Sequence, residues 1–286
     1  MTVRHKAFLF FLLLLVPLHA QQKKVTLTTA VSVSTASELI EAIASNTDIN
    51  LREGTYNLSE VNQVLNEHIE WKDNFDGYYP RIKEVSRLSL KGDGDVTILI
   101  APRYGWVLEF MDCRSIQLDN ITLGHTQPGT CLGGVVSFID SDSIKITDCV
   151  LFGSGTIGIE AKNVRNLLIS NSIVKECTYG LLSFEESENI KMVSSRFIDS
   201  EEFDLIQIRK SRDILFQNCL FRDNKTNGKA YELFTLSPDC VNVTISGCNF
   251  EDNSIVNFVN NPGRIECVSC QFTRNSFDET ARQICR

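Results

Sequence analysis

The stretch Ile144-Lys145-Ile146-Thr147-Asp148-Cys149-Val150-Leu151 decides the reading of this chain, because it keeps returning. Its first and third residues are apolar and its second is polar. Its fifth tolerates positive φ, its sixth is small, and its eighth is apolar. The same pattern occupies residues 116–123, 167–174, 190–197, 214–221, 243–250 and 265–272, with first positions 22 to 29 residues apart. Alternation with period two marks a strand with one buried face. A recurrence at this period marks a solenoid, in which each turn stacks on the last.

Working outward, the fifth position holds Asn120, Asp148, Asn171, Ser194, Asn218, Gly247 and Ser269. Asn, Asp and Gly suit a one-residue bend between two strands. Beyond the bend the chain points inward again at Leu123, Leu151, Val174, Phe197, Phe221, Phe250 and Phe272. The last four predict a phenylalanine stack, each side chain contributing about 1.5–3 kcal/mol by burial. Upstream of the repeats lie further short apolar strands at 108–110, 135–138, 159–161, 181–184, 205–208 and 233–236. Three strands per turn, each pairing with its counterpart one turn away, make an all-β, right-handed parallel β-helix. Thr35-x-x-Glu38 is a capping box that opens a helix with Ala36, Leu39, Ile40 and Ile43 on one face, suited to closing the N-terminal end. Ser276-x-x-Glu279 is a second such box at the other end.

The capping helix, the strand that follows it, Gly54-Thr55-Tyr56 and the repeats together resemble the pectin-lyase-like right-handed parallel β-helix superfamily, especially bacterial exported β-helix repeat proteins. The resemblance covers about residues 33–275 and implies fold rather than activity. Polygalacturonases of that superfamily carry Asn-Thr-Asp, Asp-Asp, Gly-His-Gly and Arg-Ile-Lys in that order. Asn46-Thr47-Asp48 and Arg81-Ile82-Lys83 match two of these, but no Asp-Asp and no Gly-His-Gly lies between them, so both are read as chance.

The ends and composition bound the function. Residues 1–20 read as a secretory leader: Arg4 and Lys6, then an apolar run from Phe8 to Val16 that is too short to span a bilayer. No cysteine follows that could carry a lipid. Residues 21–32 read as a polar linker, and residues 33–286 as one domain with an insertion at about 60–85. The expected location is secreted or periplasmic. The formal charge of −8 over 286 residues becomes about −10 without the leader and disfavours nucleic acid and anionic lipid. The insertion carries Trp71, Phe75, Tyr78 and Tyr79. Its apolar positions Val61, Val64, Leu65, His68 and Ile69 have helical spacing, so it is expected to form a helix on the flank of the barrel. Trp71, Tyr78 and Tyr79, if exposed, would stack on sugar rings.

Ten cysteines in an exported chain normally suggest disulfides. Here Cys149, Cys219, Cys248 and Cys270 share one repeat position with Ile121, Ser172 and Ser195. Cys113 and Cys240 share another with Ser141, Ser187 and Ser211. Rungs about 4.8 Å apart with parallel inward side chains hold Cβ atoms wider than a disulfide prefers. These columns are therefore expected to hold free thiols. Cys131, Cys177 and Cys285, in turns or near the end, are the expected exceptions, and Cys267-x-x-Cys270 is a lone pair without a zinc framework.

Candidate chemistry sits on the upstream strands. Their outward positions read Glu109, Ser137, Glu160, Ser183, Gln207 and Thr235, a row suited to contacting an extended polysaccharide. Glu109 and Glu160, separated by one rung, would stand roughly 10 Å apart, near the upper end for an inverting glycosidase. His125 and Cys131 lie on the loop after residue 123. They are candidates for a general base and a thiol nucleophile on the same face. Glu185, Glu186 and Glu188 could contribute oxygens to calcium. In register, however, Lys162, Glu185 and Arg209 form a charge ladder, and no bound metal is expected. The sequence thus supports a non-catalytic polysaccharide-binding or structural protein. A lyase or glycoside hydrolase on the Glu109–Glu160 face is the alternative.

Overall fold

The computed structural model describes residues 28–126, 133–153, 157–228 and 231–285. Its strands form two sheets that wind around one apolar core as a right-handed β-helix of about eight turns. A nine-stranded sheet, here the front sheet, runs from the strand Ile69–Asn74 to the strand Asn257–Val259. The seventeen-stranded back sheet takes two short strands from each turn on either side of the Asn/Asp bend. Repeat pairs with repeat in the expected register: Ile144 lies beside Ile116 on one side and Leu167 on the other.

The bends are made as the residue types require. Asn120, Asp148, Asn171, Ser194 and Asn218 all have φ between 51° and 54°, and Gly247 has 63°. Two further corners per turn use the same device, at Asp112, Asp140 and Asn163, and at Asp199, Asp223 and Asp252. The phenylalanine stack is present: ring centroids of Phe197, Phe221, Phe250 and Phe272 follow one another at 5.2, 4.8 and 4.9 Å.

The small columns carry more than volume. The Cys149 N–H donates to Ser172 Oγ at 3.1 Å and the Ser172 N–H to Ser195 Oγ at 3.2 Å. A third column, Cys177, Ser200, Asn224, Asn253 and Asn275, works in the same way, and its asparagine amides also bond one another at 3.0 and 2.8 Å. Where the next rung carries a hydroxyl, thiol or amide, the buried corner N–H finds its acceptor there, which removes the cost of an unpaired donor. Cys113, Cys149, Cys177, Cys219, Cys240 and Cys248 are buried and lie outside the disulfide. Burial pushes Cys113 up to about 11 and Cys149 up to about 12. Cys177 was expected among the exceptions; it is unbridged because it heads this third column rather than standing in a turn.

Several expectations are corrected. Cys285 is bridged, but to Cys267 in the last rung. It follows the short helix Glu279–Ile284 and meets Cys267 through an isolated parallel bridge, with Cα atoms 4.5 Å apart, so parallel pairing does not by itself keep two thiols from bonding. Asp278, not Ser276, precedes that helix, without a side-chain cap. The stretch read as a linker includes a strand, Thr29–Val33, paired with Thr47–Leu51. The insertion is a hairpin, not a helix: Ile69–Asn74 pairs antiparallel with Gly77–Lys83, which joins the front sheet beside Trp106–Met111. Its aromatic and β-branched residues favour strand, and Leu65, one of the residues at helical spacing, is 91% exposed. The N-terminal helix Ala36–Ala42 forms as expected, with Thr35 Oγ1 accepting from the Glu38 N–H and with Leu39 and Ile40 buried.

Candidate functional site

The outward row is in register across the front sheet. Glu109 pairs with Ser137, Ser137 with Glu160, Glu160 with Ser183, Ser183 with Gln207 and Gln207 with Thr235. The hairpin adds two members that the repeat could not reveal, because Arg81 lies beside Glu109 and Glu70 beside Arg81.

The hairpin end is closed by ion pairs. Arg81 Nε donates to Glu109 Oε2 at 2.6 Å, and Glu109 is 3% exposed. Burial works against the Arg81 charge, but the Glu109 hydrogen bond and field outweigh it and raise its proton affinity. Lys72 and Lys83 each approach Glu70 at 3.4 Å. They hold its carboxyl below the usual range although burial opposes this. Ser137, fully buried, donates to Glu160 Oε2 at 3.0 Å. Burial raises the Glu160 carboxyl above its ordinary value, and the nearby Glu109 charge adds to the shift.

The far end is open. Ser183, Gln207 and Thr235 are half-buried. Four residues ahead of each stands an aromatic ring: Tyr179, Phe203 and Tyr231. Tyr179 stacks on Phe203 with centroids 4.3 Å apart, and Tyr231 meets Phe203 edge-on at 5.1 Å. Asp204 and Glu232 follow two of these rings; the Glu232 N–H donates to Asp204 Oδ1 at 2.9 Å, and Thr235 Oγ1 donates to Glu232 Oε2 at 3.3 Å. Burial, then the hydrogen bond and charge of Asp204, raise Glu232. Sequence reasoning missed this group. The signal was there: all three rings occupy one repeat offset.

The other candidates fall elsewhere. His125 continues the inward alternation of Ile121 and Leu123, is 4% exposed and contacts the Gly105 carbonyl through Nε2 at 3.2 Å. Burial lowers its proton affinity, and Asp76, not Glu109 or Glu160, is the acid that acts on it. It does not line the row. Cys131 lies outside the described residues. Trp71 donates from Nε1 to the Val64 carbonyl at 3.1 Å and packs on the core. Tyr79 is half-buried, with burial and then the Glu109 charge raising its phenol. Tyr78 is 43% exposed near the hairpin tip.

Glu185, Glu186 and Glu188 turn a corner between sheets and each meets a base: Lys162 at 3.8 Å, Lys210 at 3.0 Å and Arg212 at 2.7 Å. Among the described residues no cluster of three or more His, Cys, Asp or Glu is placed to hold a metal ion. Clefts of about 350 and 400 Å³ follow this corner rather than the row. Arg114, Asp142, Arg165, Glu188 and Arg212 alternate in charge along them, rung by rung. Such mutual neutralisation makes a wall, not a reactive centre. Asn46-Thr47-Asp48 begins in the back sheet and Arg81 lies in the front, so the two motif matches share no face.

Residues 114–281 match the family described as the right handed beta helix region. Among solved structures, a pectate lyase from Paenibacillus sp. 0602 is similar at TM-score 0.54 and 9% identity, over 80% of this chain and 72% of that one. A Bacillus sp. pectate lyase in complex with trigalacturonate is similar at TM-score 0.52 and 12% identity, over 87% and 82%. A periplasmic alginate epimerase is similar at TM-score 0.52 and 11% identity, over 87% of this chain and 55% of that one. No curated protein sequence matches.

Proposed function

The chain belongs to the right-handed β-helix family, and on that premise we propose that it is an exported polysaccharide-binding protein that holds an extended glycan along its front sheet. The observation that carries this reading is the unbroken polar row from Glu160 to Thr235, in register across successive rungs. Hydroxyl, amide and carboxyl groups recurring at about 4.8 Å suit a polymer that repeats its own hydroxyls. Pectate and alginate enzymes share the fold, which supports a polysaccharide without choosing one. The Cys267–Cys285 disulfide supports export to an oxidising compartment. No helix among the described residues is long and apolar enough to cross a membrane.

One observation favours the lyase or hydrolase alternative: Glu160 gains proton affinity beside a second carboxylate, as a general acid would. Against it, Glu109 is buried and committed to Arg81, out of reach of a substrate. A panel of polysaccharides assayed for binding, for new reducing ends and for unsaturated products decides the matter. Binding without turnover is the expected result; turnover abolished in Glu160→Gln would establish the enzyme instead.

A further inference from the structure

Most of the chain's aromatic residues are in the core or packed on it. Tyr179, Phe203 and Tyr231 are among neither the core residues nor the partly buried ones that pack against it. They touch one another and remain partly in solvent. A solenoid gains little from leaving such rings at the surface, whereas Tyr and Phe presented together supply a large rigid contact area at low entropic cost. Each ring leads directly into the open polar row, one strand residue at a time.

Charge says what would lie there. Asp204 and Glu232 stand between the rings and the row, and neither has an ion-pair partner among the described residues. Lys72, Arg81 and Lys83 surround Glu70 and Glu109 at the opposite end, and the two further bases on these strands, Lys162 and Arg209, stand at their far edge, where Lys162 faces Glu185 and Arg209 donates to Gln207 Oε1, six residues beyond the Phe203 ring. A ligand carboxylate placed on the rings meets the like charge of this acidic pair, with no base between them among the described residues. A neutral sugar offers its apolar ring face to the aromatics and its hydroxyls to the carboxyls, Thr235 and Gln207.

We infer that the Tyr179–Phe203–Tyr231 mouth of the front sheet is the subsite that grips the glycan, and that it accepts an uncharged sugar and rejects a uronate. The inference rests on the polysaccharide reading and deepens it. The test is calorimetric titration of the full secreted chain with gluco-, manno- and xylo-oligosaccharides and with oligogalacturonate. At least one neutral oligosaccharide should bind, and Phe203→Ala should weaken it roughly tenfold or more. Unchanged melting temperatures would exclude misfolding as the cause. Neutral binding that survives Phe203→Ala and Tyr179→Ala but is lost in Gln207→Ala overturns the subsite and leaves the face reading intact. Oligogalacturonate binding more tightly than every neutral sugar overturns the charge selection. Silence toward all four overturns both readings.

Discussion

The two ends of the front-sheet row share one register and one strand geometry, yet they do opposite work. At the hairpin end the polar groups are spent on one another: Arg81 on Glu109, Lys72 and Lys83 on Glu70, Ser137 on Glu160. At the far end Ser183, Gln207 and Thr235 remain partly exposed beside a group of aromatic rings. The difference comes from what stands beside the row: at one edge the hairpin strands bring Lys72, Arg81 and Lys83 as partners for its carboxylates. An outward position in a solenoid is only a candidate for function, and the neighbouring chain decides whether it becomes a strut or a contact.

The largest effect should come from breaking the strut. Glu109→Ala leaves the half-buried Arg81 guanidinium with the more distant Glu70, 3.8 Å away, and should cost about 1–3 kcal/mol in chemical denaturation. A loss under about 1 kcal/mol would make the closed end no different from the surface. Next, the cycle with Arg81→Ala should show a coupling of about 1–3 kcal/mol; simple additivity would mean that the pair is not the element that closes this end.

Glu160, at the boundary, should make stability depend on pH. Its proton affinity is higher folded than unfolded. The folded state therefore binds more protons between the ordinary glutamate value and the raised one, and stability falls as pH rises through that window. Glu160→Gln should flatten this slope in melts taken across the window. A parent and variant with parallel pH curves would show that Glu160 is as solvated as the open end. The smallest effect belongs to that end: Ser183→Ala and Gln207→Ala should change stability by less than about 0.5 kcal/mol while weakening glycan binding. A larger loss of stability would turn these residues into struts too.

Much of this was legible because a repeat states its rule many times. The Asn/Asp bends, the phenylalanine stack and the order Glu109, Ser137, Glu160, Ser183, Gln207, Thr235 all follow from aligning one turn on the next. What occurs once was not legible. Arg81 enters the row from a hairpin outside the repeat, so no spacing predicts it. His125 looked like loop chemistry, yet it continues the inward side of its strand, and burial of its ring was hidden by the glycines and proline that follow it. Cys267 was concealed by its own regular position, since its partner comes back from the terminal helix. The asparagine column at 224, 253 and 275 was missed because Asn in these sequences reads as turn, although its amides face inward.

Those interior columns carry a consequence for how such a chain can vary. In each of them a corner N–H points to an acceptor in the following turn, whether serine hydroxyl, cysteine sulfur or asparagine oxygen: Cys113 to Ser141, Ser187 to Ser211, Cys219 to Cys248, Asn224 to Asn253. The donor is always the same backbone group, and the acceptor always arrives from the next turn. Excising a turn between two rungs that carry acceptors brings an equivalent one into the vacated place, and duplicating such a turn supplies both halves of the new bond. Length is therefore a nearly free variable of this architecture in whole turns, and a forbidden one in fractions of a turn, where every inward column would fall out of phase at once.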